Sequence, residues 1–570
     1  MAWTGASFAA RLPHLNRVGS RQNLRRDVVA GVLLSLFLVP VGMAYAQASG
    51  LAPIYGLYAT IAPMVVYGLF GPSRLLVLGP DSSLAPLIAA TILPLASGDP
   101  QQAATFAAAL AIGTGLLSLA AGFGGLGLLT ELLSVPIRHG YLVGVAVVVA
   151  VGQLPILLGI DADGDTVSTL VETLTGLARQ EHGTAATWTG LLSLASLIIL
   201  GRLRSNLVAV AATVIVAIVA TRLLDAGDQL EVVGTLPQGA PSPSLPVIDR
   251  ASLGPIAIGA FSIALISFTD TSILSQSNAS REARHVDPNR ELVALGLSNL
   301  ACGFFQGFPV SGSSSRTPVL ESAGGRTQAA GLVAAISVLV LLITAPGALS
   351  TLPLATLAAV LIVAVSKLVD PGAARELLRS RSGEFWLGLI CAIGVVLAGP
   401  LWGIGIAVGI SLLLFLHRSW RPHTTVLVRV DGLKGYHDSE RHPEGREVPG
   451  LLIYRFDAPL FFANAEVFRR DLTDRIRVAG PGLRRVVITA EPITDIDATA
   501  DRALLALRDE LEERGIELCF AELKGVVRDQ LTRSGTAETF GEESFHRTIG
   551  QAVRAYLNAH DVDWVNWDEA

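Results

Sequence analysis

Two serine-rich runs, Pro-Asp-Ser-Ser-Leu-Ala-Pro at 80–86 and Gly-Ser-Ser-Ser-Arg-Thr-Pro at 312–318, each lie inside apolar sequence. Hydroxyls followed by a proline can start a short helix partway through a bilayer, where Ser side chains and free N–H groups face a cavity. Two such starts at corresponding places in two halves of a chain mark the binding site of a secondary carrier. Each helix N-terminus carries about half a positive charge, and the second run adds Arg316. Ser82, Ser83, Ser314, Ser315 and Arg316 therefore form a constellation that favours an anion.

Arg316 has no water around it, and an arginine at the centre of a membrane costs about 2.5–3.5 kcal/mol on insertion scales. It needs a partner: a bound anion, or a permanent bridge to Glu321 or Asp270. Asp270 lies near the middle of a long apolar stretch, among Thr269, Thr271 and Ser272. Acids inside a membrane mark ion pathways, so Asp270 with Thr271 is the candidate coupling-ion site. The carboxylate can take up H+, or hold Na+ with its hydroxyl neighbours; the alternative is a fixed partner for Arg316. Tyr45 joins the substrate-binding candidates, with Met43 and Phe268 as cavity-lining or merely packing residues. Asp81 is read as a cap of the third segment, turned away from an anion. The histidines, the acids of the C-terminal part, and Cys302, Cys391 and Cys519 show no catalytic, disulfide or metal-ligand spacing. The expectation is a chain with no cofactor and no enzymatic activity.

The elements that must position these residues follow from hydropathy. Of 570 residues, 51% are apolar and 16% charged, with a mean hydropathy of +0.53. That is a polytopic membrane composition. Seven apolar segments fall near 28–49, 53–70, 82–96, 103–122, 135–158, 187–201 and 205–222. Seven more fall near 252–276, 291–306, 313–323, 328–346, 351–368, 384–399 and 401–417. The third and tenth are short, as half-helices are. The first is too long for a cleaved signal peptide.

Alternation through fourteen segments puts most Lys and Arg on the cytoplasmic side. These include Arg11, Arg17, Arg202, Arg204, Arg284, Arg290, Arg375, Arg379 and Arg381, whereas Arg179, Arg222 and Arg250 fall outside. An odd count per repeat gives opposite topologies, hence a 7+7 inverted repeat. The domain reading is a cytoplasmic N-terminal segment at 1–26 and a transmembrane domain at 27–420, with repeats at 27–222 and 252–418. A soluble α/β domain at 424–560 and a tail at 561–570 complete it. In the soluble part, strands are expected at 426–430, 451–456, 486–490 and 516–523, a helix at 500–514 ending before Gly515, and an acidic loop at 436–450. The net charge of −6 and the lack of a basic stripe exclude a nucleic-acid partner.

The pattern Pro53-x-Tyr55-Gly56-Leu57-Tyr58-Ala59, followed by Tyr67 and Gly71-x-Ser73-Arg74, resembles the signature of the SulP anion transporters, the sulfate permeases related to solute carrier family 26. GFPVSGSSSRT at 307–317 and FDAPLFFANAEVFRR at 456–470 are similar to the same family, the latter to its STAS domain. The resemblance implies a UraA-like core domain moving against a gate domain, a cytoplasmic STAS domain, a homodimer, and a bacterial inner membrane with both termini cytoplasmic. It also implies an anion pocket beside Arg316 and ion coupling at Asp270. Two positions depart from the pattern. Pro40-Val41-Gly42-Met43-Ala44-Tyr45 lacks a family glutamine. Asp497 is followed by Ala498 and Thr499 where related domains carry a phosphorylatable Ser.

The resulting expectation is a secondary active transporter that takes up sulfate by H+ symport through alternating access. Na+-coupled bicarbonate, C4-dicarboxylate transport, a passive anion channel, and a sensor whose STAS domain reports to a soluble partner stay open as alternatives.

Overall fold

The computed structural model describes residues 21–127, 135–162, 164–180, 183–281, 286–313, 316–380 and 382–564. Ser314, Ser315, Arg11, Arg17, Arg284 and Arg381 lie outside the described residues. The first repeat consists of α1 (Arg21–Ala48), α2 (Pro53–Phe70), the short strand β1 (Leu78–Gly79), α3 (Ala85–Ala96), α4 (Pro100–Phe123), α5 (Val135–Leu158), α6 (Thr166–Ala178), α7 (Thr184–Leu203) and α8 (Asn206–Leu223). The second repeats that order: α9 (Leu253–Arg281), α10 (Pro288–Phe304), β2 (Ser311–Gly312), α11 (Arg316–Ser322), α12 (Ala329–Thr344), α13 (Leu354–Ser366), α14 (Pro371–Ser380), α15 (Ser382–Ala398) and α16 (Pro400–Trp420).

Helix starts follow local chemistry. Proline opens α2, α4 and α10, where its missing N–H is not needed. Asp99, Asp165, Ser205 and Asp287 cap α4, α6, α8 and α10 by accepting from free N–H groups. Among the described residues, nine helices are long and apolar enough to cross a membrane, and α3, α12 and most of α15 form shorter apolar helices.

Two helices, α6 and α14, were absent from the sequence expectation. Each separates the fifth and sixth apolar segments of its repeat, and each is too short and too polar on one face to register as a span. Their matching positions extend the repeat to eight helices per half.

The helices pack as two bundles. In one, α1 runs along α2 and α12, and α4 lies against α10, α9 and α3. In the other, α5 packs on α15, α13 and α7, and α7 on α8 and α13. Glycines allow the closest crossings: a Cβ on Gly56 of α2 would run into the Gly42 carbonyl of α1, and one on Gly140 of α5 into the Gly388 carbonyl of α15. The outer faces of α7, α8 and α16 expose Trp188, Leu192, Val216, Leu413 and Phe415, as lipid-facing helices do.

The chain divides into compact units at residues 411 and 412, inside α16 and upstream of the boundary expected between 420 and 424. The C-terminal unit has β3 (Thr424–Arg429), β4 (Tyr436–Asp438), β5 (Leu451–Phe456), α17 (Ala465–Ala479), β6 (Arg485–Thr489), α18 (Ala498–Glu512), β7 (Glu517–Ala521), α19 (Gly525–Arg533), α20 (Thr536–Phe540), β8 (Phe545–His546) and α21 (Ile549–Ala559). Its six-stranded sheet has the order β4-β3-β5-β6-β7-β8, antiparallel as far as β5 and parallel beyond it. Apolar cores cover both faces. The four expected strands are present. The loop expected at 436–450 in fact begins with β4, because Tyr436–Asp438 pairs with the edge of β3.

Candidate functional site

The two serine-rich runs meet. β1 and β2 pair antiparallel, Leu78 opposite Gly312 and Gly79 opposite Ser311, which brings the starts of α3 and α11 together inside the first bundle. β2 is pinned from behind. Asn299 of α10 holds Val310 at both ends, accepting from its N–H at 2.9 Å and donating to its carbonyl at 3.1 Å. Ser267 Oγ donates to the same carbonyl at 2.8 Å. Gly312 N donates to Thr271 Oγ1 at 2.9 Å, so Thr271, a coupling-ion candidate, anchors the strand. Val77 N donates to Thr317 Oγ1 at 3.3 Å.

Arg316, 1% exposed, extends across this junction toward β1. Its Nη2 donates to the Pro80 carbonyl and to Asp81 Oδ2 at 3.2 Å. Gly79 makes the crossing possible, since a Cβ there would fall on Nη1. Nε and Nη1 have no hydrogen-bond partner among the described residues.

The sequence expectation is corrected here. Asp81 faces the arginine rather than turning away, and it takes the place in the ion pair anticipated for Glu321 or Asp270. The reason is local. Ser83 N and Oγ both donate to Asp81 Oδ1, at 3.1 and 2.9 Å, and this turn aims the other oxygen, Oδ2, at Arg316.

Ser83 links two carboxylates, its Oγ lying 2.9 Å from Asp81 Oδ1 and 2.9 Å from Asp270 Oδ2. Asp270 Oδ1 accepts from Arg138 Nε at 3.2 Å and Nη2 at 3.1 Å. Arg138 sits on α5, in the other bundle. One turn further along, Tyr141 Oη donates to the Ser83 carbonyl at 2.7 Å. A narrow cavity lies here between the bundles, lined by Arg138, Tyr141, Thr269, Asp270 and Cys391. Tyr45 is fully buried beside Asp81, Ser82 and Arg316. Met43 packs in the main apolar core, and Phe268 in a separate cluster with Tyr67 and Leu78.

The junction thus carries two positive and two negative side chains in the order Arg316, Asp81, Asp270, Arg138. Their charges cancel, yet among the described residues Arg316 keeps two donors unused. Arg138 is not among the candidate site residues that the sequence suggests. The available signal was its place three residues inside an apolar segment, at i, i+3 from Tyr141.

A second buried cluster lies at the other end of α10. Glu291 of α10, 1% exposed, accepts from Tyr67 Oη at 2.8 Å, from Ser275 Oγ at 2.7 Å and from Ser73. It ties the ends of α2 and α9 to the start of α10.

Residues 24–391 match the model of the sulfate permease family, and residues 442–552 match the STAS domain. The chain belongs to the sulfate permease family. Tyr67 and Ser73, which belong to the pattern that resembles the family's signature, grip Glu291 together with Ser275. A probable sulfate transporter of Mycobacterium tuberculosis is 38% identical over 94% of this chain and 96% of its own length. The murine solute carrier 26 family member A9 anion transporter, solved in the inward-facing state, superposes with a TM-score of 0.89 at 21% identity, over 98% of this chain and 96% of that one. The transmembrane domain of a cyanobacterial bicarbonate transporter gives 0.60 at 23% identity, over 68% of this chain and 98% of its own. The chain is therefore a multi-pass membrane protein of a transporter family, with the UraA-like helical fold and a STAS domain.

In the STAS domain, Asp497 caps α18 by accepting from Thr499 N at 3.0 Å and Ala500 N at 2.8 Å, while its other oxygen accepts from Phe462 N at 2.7 Å. With Ala498 in the next position, this acid has a structural duty without an adjacent hydroxyl.

Proposed function

We propose that this permease is a secondary active transporter that takes up sulfate together with protons by alternating access. The observation that carries the reading is the buried Arg316 guanidinium, with Nε and Nη1 unpartnered among the described residues at the meeting point of two helix starts. A dianion there would receive charge-assisted hydrogen bonds from both nitrogens, with further donors from Ser82, Ser314, Ser315 and the Tyr45 hydroxyl, while Ser83, whose N–H and hydroxyl proton answer Asp81 and Asp270, holds the acids beside it. The similarity to a probable sulfate transporter favours sulfate among small anions.

Charge balance favours a co-transported cation. The four charged side chains of the junction cancel, so a dianion entering a low-dielectric site brings charge that helix termini offset only in part. Asp270 is the proposed carrier of H+. Ser83 has one hydroxyl proton for two carboxylate oxygens, and a single added proton on either acid would complete the second hydrogen bond. The inner-membrane location with cytoplasmic termini, and a homodimer, belong to the same proposal.

The test is uptake of labelled sulfate into proteoliposomes under an imposed inward proton gradient, with bicarbonate and fumarate as competitors. Accumulation should follow the gradient. Uptake of bicarbonate or fumarate without sulfate would leave the fold and site intact and replace the substrate.

A further inference from the structure

We propose that Arg138 is a tethered cation that occupies Asp270 whenever the coupling ion does not, locking α5 to the half-helix site until H+ or Na+ displaces it. This deepens the reading of Asp270 as the coupling residue and rests on it.

The first support is the accounting at the carboxylate. Oδ1 takes two N–H bonds from Arg138 and Oδ2 one hydroxyl contact from Ser83, so the guanidinium fills the Oδ1 side of the carboxylate. Na+ needs that oxygen as a ligand, and H+ on Oδ2 removes the negative charge that holds the guanidinium, so either ion favours its withdrawal. Withdrawal is open to Arg138, whose side chain is 31% exposed, whereas the Asp270 side chain is 13% exposed. A long arginine stem can carry its head to water while its methylenes remain packed.

The second support is where the two partners are mounted. Asp270 and Ser83 belong to the bundle that holds the half-helix junction; Arg138 and Tyr141 belong to α5, which packs on α15, α13 and α7. Arg138 and Tyr141 are one turn apart and grip two points of the site, Asp270 and the Ser83 carbonyl. A bond across two bundles resists their relative motion, and it breaks with the event that changes the charge of Asp270. Asp81 from the turn before α3, Arg138 and Tyr141 from α5, and Cys391 from α15 are the titratable groups around Asp270 among the described residues. Asp81 is committed to Arg316, which leaves Arg138 as the cation that changes partner.

The consequence is a safeguard against leak, because the bundle carrying the site is held while the cation site is empty. A permanent structural bridge would have no such dependence on cation.

The experiment compares wild type, Arg138→Gln, Arg138→Lys and Asp270→Asn in proteoliposomes loaded for labelled-sulfate uptake, with separate H+ and Na+ series. In Arg138→Gln the cation concentration giving half-maximal accumulation should fall about five- to tenfold, as expected for loss of a competing part-buried ion pair. Arg138→Lys should stay near wild type. An unchanged half-maximal concentration in Arg138→Gln overturns the proposal.

Amide hydrogen exchange over residues 135–142, measured on the same purified full-length proteins, reads the lock without reference to transport. Arg138→Gln, Asp270→Asn and the double variant should raise exchange to the same extent, since either change opens the same bond. Wild-type protection in both single variants overturns the lock. Raised exchange together with cation-independent wild-type uptake would keep the lock and remove Asp270 from coupling.

Discussion

Arg316 and Asp81 form a buried pair whose two members have different duties, and substitutions separate them. Removing Arg316 alone strands a buried carboxylate, which costs about 3–5 kcal/mol. Arg316→Ala should therefore lower the melting temperature in detergent as well as abolish sulfate binding. Arg316→Ala combined with Asp81→Asn should recover most of the melting temperature but none of the binding, measured by thermal shift and by radioligand retention. Recovery of binding in the double variant would take Arg316 out of the anion site. At this scale the sequence was informative about Arg316 and Asp270, because a charged residue in an apolar run is conspicuous in one dimension. It was misleading about their partners. Asp81, two residues from Ser83, is aimed at Arg316 by a turn whose hydrogen bonds have no signature in composition.

Among the elements, the apolar segments were legible to within a few residues because a membrane span needs length and hydropathy, both of which are local properties. α6 and α14 were not, since a short amphipathic helix resembles a polar connection unless its periodicity is sought. The crossing of α1 and α2 is tight enough that Gly56→Ala should destabilise the membrane unit by about 1–3 kcal/mol, read as an earlier melt in detergent. An unchanged melt would mean that the crossing can relax.

In the C-terminal unit, Asp438 ties β4 to its neighbours. Its carboxyl is lowered to about 2, first by the Thr425 hydroxyl, which donates to Oδ1 at 2.7 Å, and then by Glu440 N–H and His423. A depressed carboxyl stabilises the fold above its ordinary pKa of about 4 and loses that contribution as pH falls through about 2. Asp438→Asn should flatten the acid limb of stability between those values, followed by circular dichroism. A limb identical to wild type would assign the acid loss to other carboxylates.

For the whole molecule, each compact unit has an apolar core of its own. Residues 412–570 expressed alone should therefore melt cooperatively, and a chain ending near residue 424 should preserve the order in which sulfate, bicarbonate and fumarate compete. A changed order would place part of the selectivity in the STAS domain.

By itself the sequence determined the membrane character, the number and approximate limits of the apolar segments, the inverted repeat, and the basic residue that the half-helix junction buries. Each follows from solvation, and the cost of placing a residue in lipid or water is set mainly by its own type and its close neighbours. Only the tertiary structure decided that β1 meets β2, that Asp81 rather than Glu321 or Asp270 answers Arg316, and that Arg138 reaches Asp270 from the other bundle. Those pairings join residues far apart in the chain, and they depend on hydrogen-bond geometry accurate to tenths of an ångström, which only the packed helices supply.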